Sequence, residues 1–287
     1  MRIAIPNKGR LSESALDLFE RAGLKAEFRA ERALVAKLGS HFQAIFVRAQ
    51  DIPEFVADGA AELGITGRDL VEEASRPEII ELLDLEFGRC RLVVAVKEES
   101  SATEPADLPE GTRVATSFPG CARRYFESLG TSIRIVPVSG AAEIAPLLGV
   151  ADVIVDLTST GSTLRVNGLR EVGTILESSA LLIANREALA EEEAGRAGEG
   201  LVAAVGSVLR AREKRYLMSN VPRDRLEELR SVLPGISGPT VVDVLDKGAW
   251  VAAHAVVDAD AVYEIIGRLK ELGAEGILVT RIERLMP

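Results

Sequence analysis

A hydroxyl-rich segment, DLTSTGSTLR at residues 156–165, directly follows a predicted apolar strand at 152–155. Small hydroxyl side chains, a glycine and the backbone N–H groups at a helix start are groups that bind phosphate. The alternative is a Ser/Thr turn that only caps the following helix. The position after a buried strand favours the phosphate site. Because the segment lacks a Gly-Lys-Ser/Thr ending, it does not indicate ordinary phosphate hydrolysis.

Asp156 stands at the end of the predicted strand, immediately before these hydroxyl groups. A carboxylate at this place can hold the vicinal hydroxyls of a sugar, or stabilise positive charge that develops at an anomeric carbon. It can also simply cap the helix that follows. Both interpretations remain open at this point.

Basic residues recur in the loops that follow predicted strands. These residues are Lys8, Arg10, Arg68, Arg123 and Arg124, and Asp69 accompanies Arg68. A single surface cation is usually only solvated, but the shared placement predicts a basic pocket for an anionic ligand. The pocket would be local, because the formal net charge of the chain is −10.

Histidine and cysteine do not indicate a second kind of site. His41 and His254 fit no triad or metal motif, and packing is the expected role of His254. Cys90 and Cys121 have neither metal-type nor redox-type spacing, which is typical of reduced thiols in the cytoplasm. A nucleophilic Cys121 at a helix start is the less favoured alternative, since no base accompanies it.

The elements that position these residues alternate between strands and helices, which predicts an α/β protein with mainly parallel sheets. Ligands of such sheets gather at the carboxyl ends of the strands. A strand at 2–5 and a helix at 11–22 recur as a strand at 113–116 and a helix at 121–129. A second pattern occurs at 59–67 and again at 149–156. The repeats predict two similar lobes around a cleft.

The C-terminal part of the chain has a different order of elements. After a polar segment at 186–200, we expect a helix at 201–217, a helix from 224, strands at 240–245 and 250–257, a helix at 259–272 and a strand at 276–282. Asp258 or Asp260 can cap the last helix, and Gly273 can end it. This order predicts a small α+β module of the ferredoxin-like kind, which is usually regulatory or oligomeric.

Composition argues against several classes of protein. The net charge of −10 gives no support for binding to the nucleic-acid backbone. No apolar stretch approaches the roughly 18 residues of a membrane span. The opening MRIAIPNKGR lacks the pattern of a secretory signal, so we expect a cytoplasmic protein.

Several segments resemble one enzyme family. VDLTSTGSTLR resembles the phosphoribosyl pyrophosphate loop of phosphoribosyltransferases, with Val155 where a second acidic residue often stands. The segments IPNKGRLSE, DIPEFV, ELGITGRDL, RVATSFP and GAAEIAPLLGVADVIVDL are similar to the ATP phosphoribosyltransferase family. YLMSNVP, LPGISGPTV, WVAAHAVV and LGAEGILVTRI resemble the C-terminal regulatory domain of its long form.

The resemblance implies a fold and its boundaries. Two periplasmic-binding-protein-like lobes would surround a cleft, followed by an α+β ferredoxin-like (ACT-like) regulatory domain. Residues 1–90 with 178–212 would form lobe I, residues 91–177 lobe II with the phosphoribosyl pyrophosphate loop, and residues 213–287 the regulatory domain.

The resemblance also implies roles for individual residues. Asp156 and Glu143 would be catalytic. Phosphoribosyl pyrophosphate would be bound by Asp156, Thr158, Ser159, Thr160, Gly161, Ser162 and Thr163. ATP would be surrounded by Lys8, Arg10, Arg68, Asp69 and Thr116, with Arg123 or Arg124 as further candidates. Inhibitory histidine would be bound by Asn220, Ile236, Thr240 and Leu278.

The implied reaction joins the phosphoribosyl group to N1 of ATP and releases pyrophosphate, as the first step of histidine biosynthesis with feedback inhibition by histidine. Mg²⁺ is the expected cofactor, bound mostly through substrate phosphates, and its protein ligands are left unassigned. A homo-oligomer between dimer and hexamer is expected. Two rivals remain: a solute-binding protein with two lobes, and a noncatalytic metabolite sensor.

Overall fold

The computed structural model describes residues 1–28, 33–236, 238–244 and 248–286 of the 287-residue chain. The chain divides into two compact units, Met1–Asp17 with Leu24–Glu199 and Leu18–Gly23 with Gly200–Pro287. Among the described residues, no helix is long and apolar enough to cross a membrane.

Strands and helices alternate through most of the chain. In chain order, the elements up to residue 212 are β1 (Arg2–Pro6), α1 (Arg10–Arg21), β2 (Ala26–Phe28), β3 (Val35–Leu38), β4 (Phe42–Val47), α2 (Ile52–Ala57), β5 (Leu63–Gly67), α3 (Arg68–Ala74), β6 (Ile79–Asp84), β7 (Cys90–Lys97), β8 (Thr112–Thr116), α4 (Pro119–Ser128), β9 (Ile133–Pro137), β10 (Val153–Thr158), α5 (Ser162–Val166), β11 (Leu169–Ser178), β12 (Ala180–Asn185) and α6 (Glu192–Arg212). The remainder comprises β13 (Lys214–Pro222), α7 (Leu226–Val232), β14 (Thr240–Asp243), β15 (Trp250–Asp258), α8 (Val262–Glu271) and β16 (Glu275–Arg281).

Two sheets form the first unit. The larger has the order β2-β3-β4-β1-β5-β12-β6, and the smaller has the order β11-β7-β10-β8-β9. We call the part around the larger sheet lobe I and the part around the smaller sheet lobe II. The chain passes from lobe I to lobe II between β6 and β7, and returns between β11 and β12.

The prediction of mainly parallel sheets is wrong. Only β1 with β4 and β5, and β8 with β9 and β10, are parallel neighbours among the described strands. The other pairings in the two sheets are antiparallel. Strands β7, β11 and β12 lie next to the two points where the chain crosses between the lobes, and each pairs with antiparallel neighbours there. Strands β2, β3 and β4 are consecutive in the chain and also pair with one another in antiparallel fashion. The α/β class itself is confirmed.

The residues of strand β10 that precede Asp156 are all apolar, because each is buried on one face or the other of the smaller sheet. Val153 and Val155 pack on one face of the smaller sheet in a cluster that includes Phe126. Ile154 packs on the opposite face with Leu164 of α5. Each such fully buried side chain contributes about 1.5–3 kcal/mol of hydrophobic free energy. Burial on both faces therefore fixes the end of β10, where the polar segment begins.

The second unit carries one sheet, with the order β14-β15-β13-β16 and antiparallel neighbours throughout. Its elements follow the order β-α-β-β-α-β. Leu217, Leu229 and Leu269 are fully buried in the core that the sheet shares with α7 and α8. On the other face of the sheet, Met218 and Leu278 are exposed.

Three local predictions in the C-terminal half are wrong or untested. The helix expected at 201–217 instead spans Glu192–Arg212, and Lys214–Pro222 is a strand whose inner residues alternate between buried and exposed. Neither Asp258 nor Asp260 caps α8, whose N-cap residue is Ala261; Asp258 ends β15. The strand expected at 240–245 spans Thr240–Asp243, and Leu245 lies outside the described residues.

Candidate functional site

The carboxyl ends of several strands open on a cleft between lobes I and II. Three adjoining cavities of about 430, 620 and 570 Å³ lie there. The first and second share Arg89, Cys90 and Ser159. The second and third share Leu70 and Phe118 among their lining residues. They therefore form one continuous cleft, as expected for ligand sites at the ends of α/β strands.

Many of the predicted binding residues line this cleft. The first cavity is lined by Arg68 and Ser159, the second by Arg10, Asp69, Thr158 and Ser159, and the third by Lys8. The hydroxyl-rich turn of lobe II thus shares a cavity with basic and acidic residues of lobe I. An acidic chain has a local group of cations here, as the sequence predicts.

The turn between β10 and α5 is held in a defined shape. Gly161 has φ of +72°, and its N–H donates a hydrogen bond to Thr158 Oγ1 at 2.9 Å. The positive φ favours glycine, and a Cβ atom at this position would lie 2.8 Å from Glu171 Oε1, so the Glu171 side chain would have to move. The hydroxyls of Thr160 and Ser162 lie 3.0 Å apart.

The other hydroxyl side chains of this turn point outward. Ser159, Thr160, Ser162 and Thr163 are all exposed, whereas Thr158 is buried. The turn therefore presents hydroxyl donors beside the start of α5 without a protein group covering them. This arrangement fits the phosphate site better than a turn that serves only as a cap.

Asp156 and Glu143, the two predicted catalytic residues, are both half-buried. The Leu157 N–H donates to Asp156 Oδ1 at 2.8 Å. Burial raises the pKa of Asp156, and the charge of Glu143 raises it further, against the effect of that hydrogen bond. The two carboxylates are therefore close enough to interact. Alternation along β10 places Asp156 on the same face as Ile154 and opposite Leu157, which lines the second cavity.

Arg68 and Asp69 lie at the start of α3, next to the place where the chain returns to lobe I. The Ser178 hydroxyl donates to the Asp69 carboxylate, and the Asp69 N–H donates to Ser178 Oγ at 3.1 Å. Burial raises the pKa of Asp69, although the bond from Ser178 lowers it. Arg68 pairs with Glu81 at 2.9 Å.

Thr116 differs from the other residues predicted to surround ATP. Its side chain is fully buried, and its Oγ1 accepts a hydrogen bond from the Phe118 N–H at 2.8 Å. A direct contact between this hydroxyl and a substrate would require the turn to rearrange. We expect any contribution of Thr116 to ATP binding to act through the shape of the turn.

Sequence reasoning missed Glu73. This residue lies on α3 in lobe I, and its carboxylate accepts hydrogen bonds from the N–H groups of Gly120 and Cys121 in lobe II, both at 2.8 Å. Arg124 on α4 donates in turn to the Glu72 carbonyl. The only signal in the sequence was a helix start at Phe118 and Pro119 that lacks a capping side chain.

Cys121 is buried, and its pKa is raised to about 12 by burial, and further by Glu73. The thiol therefore stays protonated at neutral pH, which argues against the less favoured alternative of a nucleophilic cysteine. Within the described part of the chain, no group of three or more His, Cys, Asp or Glu residues could hold a metal ion.

The residues predicted to bind histidine lie in the second unit and are all exposed. They are Asn220 on β13, Ile236 before β14, Thr240 on β14 and Leu278 on β16. The register places Thr240, His254, Met218 and Leu278 in one row across the four strands. Three strand spacings separate Thr240 from Leu278, about 14 Å. These two side chains therefore do not touch each other within a single chain.

Comparisons with known proteins cover the whole chain. Residues 48–205 match the family model described as ATP phosphoribosyltransferase, and residues 211–284 match the C-terminal domain model of the same family. An ATP phosphoribosyltransferase from Gemmatimonas aurantiaca is 59% identical over 100% of both chains. One from Methanopyrus kandleri is 52% identical over 99% of both chains.

A solved structure, the ATP phosphoribosyl transferase (HisG:HisZ) complex from Thermotoga maritima, contains a chain with the same fold. It is 29% identical with a TM-score of 0.62, and the match covers 72% of this chain and 98% of that one. The shared fold and the full-length sequence matches agree with each other.

Proposed function

Because this chain belongs to the ATP phosphoribosyltransferase family, we propose that its cleft transfers the phosphoribosyl group of phosphoribosyl pyrophosphate to N1 of ATP. The products are phosphoribosyl-ATP and pyrophosphate, and the reaction is the first step of histidine biosynthesis. The observation that carries the proposal is the uncovered hydroxyl turn after β10, which shares a cavity with Arg10 and Asp69.

The ribose phosphate is bound at this turn by Thr158, Ser159, Thr160, Gly161, Ser162 and Thr163. Exposed hydroxyl groups supply donors to the phosphate oxygens, while the N–H groups of Gly161 and Ser162 donate to Thr158 and Thr160 within the turn. ATP lies toward lobe I, near Lys8, Arg10, Arg68 and Asp69. Support for this placement comes from the cavities, because each of these four side chains lines one of them.

The chemical step is a displacement at carbon 1 of the ribose. N1 of adenine attacks, the bond to pyrophosphate breaks, and positive charge develops on the sugar in the transition state. Asp156, supported by Glu143, stabilises that charge. Neutral N1 carries its own lone pair, so no strong general base is needed, and alignment of the two substrates supplies much of the rate enhancement.

Asp156 and Glu143 are the carboxylates that would hold Mg²⁺. This ion prefers oxygen ligands and usually takes only one or two from protein carboxylates, the rest from phosphates and water. Burial is the main cause of the raised pKa of Asp156, and the charge of Glu143 adds to it; a bound divalent cation would stabilise the charged form of both carboxylates. When bound, Mg²⁺ would neutralise charge on the departing pyrophosphate.

An assay of pyrophosphate release tests the proposed activity. The full chain is incubated with ATP, phosphoribosyl pyrophosphate and MgCl₂, and with each component left out in turn. We expect release only when all are present. Ligand binding without release would instead favour a solute-binding protein or a noncatalytic sensor, the two rivals from the sequence.

The second unit is proposed as a histidine-binding regulatory domain of the ferredoxin-like, ACT-like kind. Its order of elements and its antiparallel strand order support this proposal. Since Thr240 and Leu278 lie on opposite edges of the sheet, we expect a second copy of the chain to complete a site that uses both. This separation supports a homo-oligomer, from dimer to hexamer, in which histidine favours one arrangement.

A bulky substitution tests the regulatory proposal. Thr240→Trp should abolish inhibition by histidine while turnover without histidine is retained. Tyr263→Trp, at an exposed position on α8, is the matched control and should be inhibited like the unmodified protein. Unchanged inhibition of Thr240→Trp would contradict the assignment of this residue.

A further inference from the structure

Helix α4 begins without any cap from its own segment. Its N-cap residue, Phe118, has no side-chain hydrogen bond to offer, and its first residue, Pro119, has no N–H group. The next two N–H groups, of Gly120 and Cys121, both donate to the Glu73 carboxylate. The cap of a lobe II helix is thus supplied by a side chain of lobe I.

The contact is specific on both sides. A Cβ atom at Gly120 would lie 3.1 Å from Glu73 Oε1 and 3.2 Å from the Glu73 carbonyl oxygen, so the close approach depends on glycine. Arg124 donates in the opposite direction, to the Glu72 carbonyl. Bonds between charged and neutral groups are stronger than neutral pairs, and here two of them share one carboxylate.

Apolar packing accompanies these hydrogen bonds. Leu70, one turn before Glu73 on α3, packs against the lobe II core cluster that contains Phe118. Leu70 and Phe118 both line the second and third cavities. The contact between α3 and α4 therefore forms a wall of the cleft itself.

Helix α3 is anchored at its other end to the chain crossing, where Arg68 N–H donates to the Ser179 carbonyl and Asp69 bonds to Ser178. One short helix thus connects the crossing strands, the cleft and α4. A substitution of Glu73 would therefore alter the distance between the lobes and not one contact with a substrate.

We propose that Glu73 is a positioning residue that holds lobes I and II in the arrangement described above, which we call closed, by capping α4 from across the cleft. It acts through α3 and α4 and touches neither substrate. Closing costs less free energy when this contact is present, so both substrates bind to an arrangement that is already populated. The kinetic part of this proposal rests on the proposed function, whereas the structural part does not.

One substitution removes the cap, a second weakens it and a third strains it. Glu73→Ala deletes the acceptor, Glu73→Gln keeps the size of the side chain but loses its charge, and Gly120→Ala crowds the contact from lobe II while the charge is kept. Glu72→Gln is the matched control, because it removes the same charge from the adjacent residue of α3. Should Glu73→Ala fail to fold, Glu73→Gln and Gly120→Ala decide the outcome.

The first measurement is the rate at which iodoacetamide modifies Cys121, resolved from Cys90 by peptide mass spectrometry. Cys121 is buried at the capped helix start, so opening exposes it. We expect about a tenfold faster modification in Glu73→Ala and smaller increases in Glu73→Gln and Gly120→Ala. Glu72→Gln should change the rate less than any of these, because Glu72 only adds to the raised pKa of the thiol. Because Gly120→Ala retains Glu73, a faster rate there reports opening and not a changed pKa of the thiol.

The second measurement is steady-state kinetics. We expect KM to rise about tenfold for both ATP and phosphoribosyl pyrophosphate in Glu73→Ala and by a smaller factor in Glu73→Gln, with kcat changed less than about twofold. Equal modification rates of Cys121 in the Glu73 variants and the unmodified protein would overturn the proposal, and this test needs no enzymatic activity. Faster modification with unchanged KM values, or an equal effect in Glu72→Gln, would overturn it as well.

Discussion

The turn after β8 and the turn after β10 share a local plan but differ in what covers them. Each follows a buried strand of the smaller sheet and leads into a helix. At the first turn, Thr116 is buried and the amides of Gly120 and Cys121 are bonded to Glu73. At the second, Ser159, Thr160 and Ser162 remain exposed. We call them the covered turn and the open turn.

The difference teaches that a strand, a polar turn and a helix do not by themselves make an anion site. Backbone donors bind a ligand only if no protein acceptor has already taken them. Glu73 occupies the covered turn from the other lobe, so this turn links the lobes. The open turn keeps the hydroxyl groups of Ser159, Thr160 and Ser162 exposed, so it is the better candidate for phosphate binding, and mutations in the two turns should have different consequences.

The largest effect is expected for Asp156→Asn, next to the open turn. Removing the charge that is proposed to stabilise the developing positive charge on the sugar should lower kcat by about 100-fold or more. Pyrophosphate release under saturating substrates measures it. Asp152→Asn, in the same region but paired with Arg113 at the surface, is the control and should retain its rate. A kcat near that of the unmodified protein would remove Asp156 from the mechanism.

Gly161→Ala should have the next largest effect. The added Cβ meets Glu171 and the residue must keep a positive φ, so the open turn should shift. We expect KM for phosphoribosyl pyrophosphate to rise about tenfold and the free energy of unfolding to fall by about 1–2 kcal/mol.

Gly130→Ala is the control for this substitution. Its φ is +70°, but no described atom lies within 4 Å of the position of its Cβ. Gly130→Ala should lower the free energy of unfolding by a similar amount without changing KM for phosphoribosyl pyrophosphate. If both variants raised KM equally, the effect would be general strain and not a property of the open turn.

The pH dependence should sharpen the comparison further. Burial and the charge of Glu143 raise the pKa of Asp156, so this carboxylate is protonated at a higher pH than an ordinary aspartate. Activity that needs its ionised form is lost as the pH falls through that raised pKa. Glu143→Gln removes one cause of the shift, and the acid limb of kcat/KM should move to lower pH. An acid limb that stays in place would show that another group controls it.

The smallest effect on activity is expected at the covered turn. Thr116→Val removes the buried acceptor of the Phe118 N–H and should lower the free energy of unfolding by about 1–2 kcal/mol. KM for ATP should change less than about twofold, because the hydroxyl is fully buried. Thermal unfolding measures the loss of stability, and initial rates measure KM for ATP. A large increase in KM for ATP would instead indicate that the Thr116 hydroxyl contacts ATP directly.

Local sequence signals located much of the fold. The helix expected at 11–22 is Arg10–Arg21, the helix expected at 259–272 is Val262–Glu271, and the strand expected at 276–282 is Glu275–Arg281. Apolar periodicity and helix-ending glycines act within a few residues, so the sequence alone displays them. The polar turn after 152–155 was predicted for the same reason.

Long-range pairings were not predictable in this way. The antiparallel partners of β7 and β12 depend on where the chain crosses between lobes, which leaves no local pattern. The bond between Glu73 and α4 joins residues 47 and 48 positions apart. On the sequence, Glu73 is one of several acidic residues on a helix, and only the tertiary structure distinguishes it from its neighbours.

The paired positions of Cys90 and Ser178 have a consequence for engineering. All strands of the smaller sheet lie in the continuous segment between these residues, which are register partners on β7 and β11. Such partners lie about 5 Å apart at their Cα atoms, so the segment enters and leaves at almost one point. We therefore expect that residues 90–178 can be excised and produced as a separate fragment, with a short glycine linker closing the gap they leave.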